Sequence, residues 1–253
     1  MLNEERRRAI LDLLGRNGRV LVNELSRRFH TSQITIRKDL DLLGDRGLVH
    51  RTHGGALPQQ NGALFDPALR EKEKQHRVEK RKIAAVAAGF VKEGQVVVLD
   101  SGTTTTALAR ALRGFRKLTV ITNALNIAAE LAGDSVDVIL TGGNLRKNSF
   151  SLVGPLAEES LRQLRADLTF LAVDGFDVRY GLTTPNLQEA KVNRVMVEIS
   201  RRTVVLCDSS KFGRRTLSLI VPTSAVHHTI TDRKLSHRDW RALRRTGIEV
   251  TLV

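Results

Sequence analysis

The sequence predicts an α/β domain with a mostly parallel sheet, preceded by a small helical domain. Two observations support this fold class. In the second part of the chain, apolar runs rich in branched residues alternate with helical stretches; these runs are QVVVLD, LTVIT, VDVILT, LTFLAV and TVVLCD. Such runs are typical of strands that are buried on both faces of a parallel sheet. The first part of the chain instead carries apolar residues at helical spacing among charges.

The polar segment PQQNGALFDP, bounded by Pro58 and Pro67, is predicted to link two domains. We therefore expect an N-terminal domain over residues 1–57, a linker over 58–67 and a C-terminal domain over 68–253. The length suits two domains, and a single domain is the alternative. The C-terminal domain begins with the basic helical segment ALREKEKQHRVEKRK, whose charges are expected to form a solvated helix face.

Two helices separated by a short turn are predicted in the N-terminal domain. The helical stretch LVNELSRRF is followed by HTSQ and then by ITIRKDLDLLGDRG, which places Ile36, Leu40 and Leu43 on one helical face. Ser32 is expected to cap this second helix, because its hydroxyl can accept a hydrogen bond from a free backbone N–H. The pattern suits a helix-turn-helix, in which the second helix enters the major groove of DNA. A helical oligomerisation or capping domain is the alternative.

Polar residues of the second helix and of the segment after it are candidate DNA contacts. Arg37 can offer its planar fork to guanine or to phosphate, whereas Lys38 suits the phosphate backbone. The segment GLVHRTHGGALP predicts a short hairpin, or wing, with basic side chains that can reach phosphates. The candidate DNA-binding residues are Ser32, Thr35, Arg37, Lys38, Asp41, Arg51 and His53.

The charge and composition limit the partners of the chain. A formal net charge of +14 favours an anionic partner such as nucleic acid, although basic solvated surfaces are also common. The N-terminal residues MLNEERRR lack an apolar signal core, and no stretch is long and uncharged enough to span a bilayer. A cytoplasmic protein with no membrane partner is therefore expected. The single cysteine, Cys207, excludes an internal disulfide framework and a multi-cysteine zinc site.

Polar residues follow each of the five predicted strands. Because the carboxyl ends of parallel strands face one crevice, these residues are expected to converge on a ligand. A Thr-rich turn alone would more often be a helix cap, but five polar strand ends favour a binding site. The candidate ligand-binding residues are Ser101, Gly102, Thr103, Thr104, Thr105, Asn123, Gly142, Gly143, Asp174, Gly175 and Lys211.

The turn SGTTTT, which follows the strand VVVL and precedes a helix, is expected to hold a small phosphate. It has neither the lysine of a mononucleotide P-loop nor the spaced glycines of a dinucleotide site, so ATP and NAD are not expected. No cofactor and no metal are predicted. Backbone N–H groups at the helix N-terminus can hold the phosphate, and Lys211 can neutralise it. Asp174 and Asn123 then suit the hydroxyls of a polar body such as a sugar.

The segment LVNELSRRFHTSQITIRKDLDLLGDRGLVHRTHGGA resembles the winged helix-turn-helix of the DeoR family of bacterial sugar-metabolism regulators. The motifs LDSGTTTTALA, TN, LTGG, VDG and DSSKFG resemble the sensor domain of the same family, so the resemblance covers nearly the whole chain. It implies a sensor domain similar in fold to ribose-5-phosphate isomerase and a phosphorylated sugar as effector. The segment GLTTPNLQEAKVNR is similar to the subgroup that controls amino-sugar and galactosamine catabolism.

The same resemblance provides an enzymatic alternative, a sugar-phosphate isomerase-like enzyme fused to a DNA-binding module. It places Asp174 and Asp177 where the isomerase has a pair of aspartates, and Glu189 near its catalytic carboxylate. Such a carboxylate could move a proton between two sugar carbons. In the other interpretation, Asp174 only orders hydroxyls and Glu189 is a solvated residue paired with Lys191 or Arg194.

The sequence favours a regulator that is not an enzyme. No Lys- and Gly-rich segment like that of the isomerase follows VDGFDVRYG, and the same chain carries a predicted DNA-binding domain. We expect a repressor of a sugar-catabolism operon whose affinity for operator DNA is changed by a phosphorylated sugar. A homo-oligomer, either a dimer or a tetramer, is expected because paired helix-turn-helix units read paired half-sites. A constitutive architectural DNA-binding protein would leave the polar strand ends unexplained.

Overall fold

The computed structural model describes residues 3–17, 19–45, 48–52, 54–58, 63 and 66–253. The chain divides into two units, Met1–Phe65 and Asp66–Val253. Most of the predicted linker, residues 59–62, 64 and 65, lies outside the described residues, as does His53. None of the helices in the described residues combines the length and the hydrophobicity of a transmembrane span.

The N-terminal unit is a winged helix-turn-helix. Its elements in chain order are α1 (Asn3–Asn17), β1 (Val20–Leu21), α2 (Val22–Arg28), α3 (Gln33–Asp45), β2 (Val49–Thr52) and β3 (Gly55–Pro58). The antiparallel pair of β2 and β3 is the predicted wing, and β1 adds to it to give the sheet order β1-β3-β2.

The helix α3 begins and packs as its sequence predicts. The backbone N–H of Thr35 donates to Ser32 Oγ at 3.1 Å, which confirms the predicted N-cap. Ile36, Leu40 and Leu43 are buried on one face of the helix and belong to the core of this unit. The opposite face of α3 is therefore left to solvent or to a partner.

A buried ion pair joins α1 to α3. Arg6 Nε donates to Asp39 Oδ2 at 2.6 Å, and Arg7 Nε donates to Asp39 Oδ1 at 2.8 Å. The side chain of Asp39 is 2% exposed and that of Arg6 is 8% exposed. Because both carboxylate oxygens have charged donors, the burial of Asp39 is compensated, and the orientation of α3 depends on this carboxylate.

The C-terminal unit is an α/β domain. Its first elements are α4 (Leu69–Lys74), α5 (Arg77–Ala88), β4 (Val96–Leu99), α6 (Thr103–Ala111), β5 (Thr119–Thr122), α7 (Leu125–Leu131), β6 (Asp137–Leu140), β7 (Asn144–Arg146), β8 (Ser151–Val153) and α8 (Pro155–Arg162). The remaining elements are β9 (Ala166–Leu171), β10 (Gly175–Asp177), β11 (Gly181–Thr184), α9 (Leu187–Glu198), β12 (Ser200–Leu206), β13 (Ser218–Val221), β14 (His228–Thr231), α10 (His237–Arg245) and β15 (Glu249–Leu252). Two short 3-10 turns, Ser209–Lys211 and Thr223–Ala225, flank β13.

The main sheet has seven strands in the order β15-β14-β12-β9-β4-β5-β6, and every neighbouring pair is parallel. This arrangement confirms the predicted α/β fold class. The five predicted strands are β4, β5, β6, β9 and β12, whereas β14 and β15 were not predicted. The small antiparallel sheet β10-β11-β13 and the hairpin β7-β8 were not predicted either.

Helices cover both faces of the main sheet. Val97 and Leu99 of β4 pack in the core formed with α5, α6 and α7, whereas Val98 packs with α8 and α9. Alternating residues of one central strand thus contribute to two cores, which explains why the strand is apolar throughout.

The Asp39 ion pair predicts how the N-terminal unit responds to substitution. Asp39→Asn should destabilise this unit by about 3 to 5 kcal/mol, because a buried arginine loses its charged partner. Hydrogen exchange of peptides from α1 and α3 measures this loss. The matched control is Asp45→Asn, which removes an exposed carboxylate from the same helix and should cost about 1 kcal/mol or less. Equal exchange rates in the two variants would contradict a stabilising role for the buried pair.

Candidate functional site

Arg37 and Lys38 lie on the exposed face of α3. In the described part of the chain, neither side chain has an ion-pair partner or a hydrogen-bond acceptor. Ile34, which was not among the predicted residues, is 65% exposed on the same helix. The two cationic side chains can contact phosphates and base edges in a major groove, and the exposed apolar side chain can contact base edges there.

The wing is attached to α3 by a charged pair. Arg51 Nε donates to Asp41 Oδ1 at 2.6 Å, and the guanidinium also donates to the carbonyl of Gly55. Both residues are among the candidate DNA contacts, and the structure pairs their side chains with each other. The Asp41 side chain remains 59% exposed and that of Arg51 remains 28% exposed, so the pair fixes the wing at the surface.

A polar cleft of about 710 Å³, counting the space open to solvent, lies at the carboxyl ends of three adjacent strands, β4, β9 and β12. Its polar lining residues are Lys72, Gln75, His76, Lys80, Asp100, Ser101, Thr103, Thr104, Asn148, Ser149, Asp174, Thr184, Glu189, Asn193, Asp208 and Lys211. The predicted residues that the cleft brings together are Ser101, Gly102, Thr103, Thr104, Asp174 and Lys211.

The Thr-rich turn presents the N-terminus of α6 to the cleft. The first backbone N–H groups of a helix have no intrahelical acceptor and can bind an anion. Gly102 is required in this turn, because a Cβ atom there would lie 2.2 Å from Ala172 Cβ on the neighbouring strand end. Thr105 does not line the cleft. Its hydroxyl contacts Asp100 Oδ1 and the backbone N–H of Gly102, both at 2.9 Å, so it stabilises the turn from inside.

Asp174 lines the same cleft and lies in a network of charges. Lys72 Nζ donates to Asp174 Oδ1 at 2.8 Å, and Thr184 Oγ1 donates to Oδ2 at 3.3 Å. Burial tends to raise the pKa of Asp174, but the charges of Lys72 and Lys211 outweigh burial and lower that pKa. Asp174 is thus held as a carboxylate that can accept hydrogen bonds from hydroxyl groups.

The prediction of a solvated helix face in the first basic segment was wrong for two of its lysines. Lys72 and Lys80 line the cleft, and Lys80 is only 7% exposed. Lys80 Nζ donates to the carbonyl of Lys72, and burial lowers the pKa of Lys80 to about 8 despite the opposing effect of Asp208. Together with Lys211, the cleft therefore contains three lysine side chains.

Asp100 follows β4 and is 3% exposed. Burial raises the pKa of Asp100 to about 7, although its hydrogen bonds with Ala172, Thr105 and Gly102 oppose this shift. A carboxyl group of this kind can change its protonation state close to neutral pH.

Glu189 is a buried residue of the cleft, which corrects the interpretation of a solvated side chain paired with Lys191 or Arg194. Its Oε1 accepts hydrogen bonds from Arg146 Nη1 and Ser151 Oγ, both at 3.0 Å. Arg194 instead donates to the backbone carbonyls of Leu219 and Ile220. Arg146 also pairs with Asp66, so it connects Glu189 to the start of this unit.

Several predicted residues lie outside the lining of the cleft. The buried side chain of Asn123 donates to the carbonyl of Leu152 at 3.0 Å. Gly143 adopts a φ of +124° and packs against Val153 and Ala157. Gly142 and Gly175 are also absent from the lining, and a Cβ atom on Gly175 would lie 2.5 Å from Thr183 Oγ1. Gly143 and Gly175 thus permit close approach of neighbouring backbone.

Asp177 is separate from the cleft. Its Oδ2 accepts a hydrogen bond from Arg215 Nε at 2.7 Å, and it lines a different groove. The pair of aspartates that the isomerase resemblance implied is therefore not brought together with Glu189. Among the described residues, no group of three His, Cys, Asp or Glu side chains could hold a metal ion.

Comparison with known families agrees with this architecture. Residues 6–60 match the DeoR-like helix-turn-helix domain, and residues 75–233 match the DeoR C terminal sensor domain. A helix-turn-helix followed by a sensor domain defines a DNA-binding transcriptional regulator. The chain belongs to the DeoR family, as its sequence motifs implied.

Curated relatives of similar length carry regulator names. The chain is 38% identical over 251 residues to an Escherichia coli O157:H7 protein provisionally named the aga operon transcriptional repressor, with 98% of this chain and 93% of that protein covered. It is also 38% identical to the transcriptional regulator GlpR of Haloferax volcanii, covering 99% of this chain and 98% of the relative. A third relative is GolR of Listeria innocua, at 36% identity with 98% of both chains covered.

Among solved structures, the chain is similar to ribose 5-phosphate isomerase A from Neisseria gonorrhoeae, with a TM-score of 0.40 and 16% sequence identity. The match covers 54% of this chain and 53% of the isomerase. A similarity of this size says nothing about activity.

The raised pKa of Asp100 predicts a pH-dependent stability. In the folded state Asp100 keeps its proton up to about pH 7, whereas in the unfolded chain it releases the proton above about pH 4. The free energy of unfolding therefore falls as pH rises from about 4 to 7. Asp100→Asn should remove this pH-dependent contribution to stability. The melting temperature of the variant relative to wild type should therefore rise between pH 5 and pH 8. Thermal melts in matched buffers measure it. Asp137→Asn, an exposed change, is the control, and parallel curves for all three proteins would refute the expectation.

Proposed function

We propose that this chain represses a sugar-catabolism operon and that a phosphorylated sugar bound in the cleft changes its affinity for operator DNA. The observation that carries the proposal is the convergence of three lysines and the N-terminus of α6 on one cleft that also contains carboxylates. Cations and helix N-terminal N–H groups bind phosphate, while carboxylates accept hydrogen bonds from hydroxyls. A ligand that carries both a phosphate and hydroxyls matches both kinds of group.

The phosphate is expected at the turn formed by Ser101, Gly102, Thr103 and Thr104, where Lys80 and Lys211 also line the cleft. Asp174 and Glu189 then face the body of the sugar. They would also attract an ammonium group, which supports a phosphorylated amino sugar as one member of the ligand class. The motif GLTTPNLQEAKVNR and the relative named for the aga operon support the same class.

The cleft favours a sensor over an isomerase. The Oε1 atom of Glu189 is occupied by Arg146 and Ser151, and Thr184 Oγ1 lies 3.4 Å from Oε2. A proton-transferring base needs a lone pair directed at the substrate carbon, and these partners compete for it. The relatives described above are also named as regulators.

The DNA interface is proposed to lie on α3 and the wing. Arg37 reads base edges or phosphates, Lys38 contacts phosphates, and Ile34 can pack on a thymine methyl group. The pair of Arg51 and Asp41 holds the wing in place for backbone contacts. Two copies of the chain in a homo-oligomer would present two such helices to paired half-sites.

The DNA interface is tested with operator fragments selected by the protein from its genome. Arg37→Ala should weaken operator binding by about 1 to 3 kcal/mol, and Lys38→Ala should lower the salt dependence by about one unit for all sequences. Fluorescence anisotropy at several salt concentrations measures both effects. Arg8→Ala changes an exposed arginine on α1 and is the matched control. Wild-type affinity in both α3 variants would place the DNA elsewhere.

The sensor function is tested by calorimetry with a panel of phosphorylated sugars, including amino-sugar phosphates, and the same sugars without phosphate. At least one phosphorylated member should bind, and its unphosphorylated form should not. Lys211→Met should weaken binding about 10- to 100-fold, because it removes a charged hydrogen-bond donor. Lys234→Met, at an exposed lysine paired with Glu79, is the control and should bind like wild type.

The ligand found in this way should change operator affinity by about 5- to 150-fold, and operator DNA should change ligand affinity by the same factor. Absence of such coupling would exclude a switch. Interconversion of aldose and ketose phosphates by wild type that disappears in Glu189→Gln would instead establish the isomerase alternative.

A further inference from the structure

An arginine stripe covers one face of α10 in the C-terminal unit. Arg238, Arg241 and Arg245 are three and four residues apart, so they lie on the same face of the helix, and all three are exposed. The other side of α10 packs on the core through Leu243 and the partly buried Trp240. The stripe thus belongs to a helix that is fixed in the domain.

The charges of the stripe are only partly compensated within their own helix. Like charges at this spacing repel each other, and Arg238 lies in the first turn, where the helix dipole disfavours a cation. Asp239 is the nearby carboxylate, and its Oδ2 already accepts a hydrogen bond from Ser236 Oγ at 2.7 Å. In the described chain, Arg238 and Arg245 have no ion-pair partner. Arg245 lies in the last turn, where the helix dipole favours a cation, and Arg241 Nε donates to the carbonyl of His237 at 3.3 Å, so the cost falls mainly on Arg238.

A second wall of arginines faces this stripe. Arg179 follows β10, Arg215 precedes β13, and both line the same groove as the α10 arginines. Asp177 fixes this wall, because it accepts hydrogen bonds from the backbone N–H of Arg179 at 2.9 Å and from Arg215 Nε at 2.7 Å. The guanidinium of Arg215 also lies 5.2 Å from the ring centre of Tyr180, which is 44% exposed.

The groove is open, polar and cationic. Its volume is about 1560 Å³ including the space open to solvent. Five arginines line it against two carboxylates, so positive charge is in excess in the groove. Arginine stays charged at all relevant pH values and binds phosphate with two parallel hydrogen bonds. An extended chain of phosphates fits this site better than a single enclosed anion.

We propose that this arginine groove binds the phosphate backbone of double-stranded DNA, as a second DNA contact located on the sensor domain. Double-stranded DNA is the proposed ligand because its charge is complementary to the groove and because its local concentration is high. A chain bound to DNA through its helix-turn-helix holds further duplex at a high effective concentration. The groove does not overlap the sugar-phosphate cleft, so the proposal is independent of the ligand proposed above.

The test uses the full chain and a random-sequence 60-base-pair duplex, with anisotropy measured between 50 and 200 mM KCl. The background is Arg37→Ala with Lys38→Ala, which weakens the first contact. Adding Arg238→Ala and Arg245→Ala should weaken binding at every salt concentration and reduce the slope of log K against log salt by about two units. The control adds Arg116→Ala and Arg201→Ala, two exposed arginines outside the groove, so that net charge is matched.

The proposal is overturned if the groove variant and the control variant have the same affinity and slope. It is also overturned if the groove variant binds DNA like the control but changes the oligomeric mass in light scattering, since the groove would then bind another protein chain. If the α10 variant does not fold, Arg179→Ala on the opposite wall should reduce the slope by about one unit. Sugar-phosphate calorimetry on the groove variant should match wild type, which keeps the two proposals separate.

Discussion

The parallel pairing of β4, β9 and β12 at the centre of the sheet is the constraint on which the cleft depends. Each of these strands is followed closely by an aspartate, and pairing brings Asp100, Asp174 and Asp208 to one edge of the sheet. Three buried or half-buried carboxyl groups in one place would be unstable without cations or bound protons. The structure supplies both, through the lysines from α4, α5 and the last polar turn and through the raised pKa of Asp100. The basic first helices of this unit are thus explained by the acidic strand ends that they face.

The sequence predicts features that are local or periodic. The cap at Ser32, the apolar face of α3 and the five central strands follow from short-range patterns, and each is present. Contacts between distant residues could not be predicted in this way. Glu189 and Arg146 are 43 positions apart, and nothing near Glu189 in the sequence marks it as buried. Lys72 and Lys80 occur in a segment as charged as any solvated helix, and only the sheet edge beneath them makes them site residues. The strands β14 and β15, which contain His228 and Glu249, lack the uniform apolar character by which the central strands were recognised.

Glu189 and Asp174, two of the acidic residues of the cleft, differ in how much freedom their side chains have. Glu189 is held by Arg146, Ser151 and Thr184, which come from three different strands or their ends, so a ligand would meet an oriented acceptor. Asp174 is held mainly by Lys72, which belongs to a helix of only six residues. A phosphate that attracted Lys72 would therefore compete with Asp174 for the same ammonium group. The cleft thus contains an internal ion pair that ligand binding can rearrange, which is a physical route from binding to a change in α4.

The position of Trp240 has a practical meaning for spectroscopy. It is the single tryptophan of the chain, it lies half-buried on α10, and the guanidinium of Arg244 is 5.5 Å from its ring centre. Because the N-terminal unit contains no tryptophan, intrinsic indole emission arises from the C-terminal unit alone. The fluorophore is built into the helix that carries the arginine stripe. The protein therefore contains its own optical probe of that helix, and emission changes on adding polyanions can be interpreted without labelling.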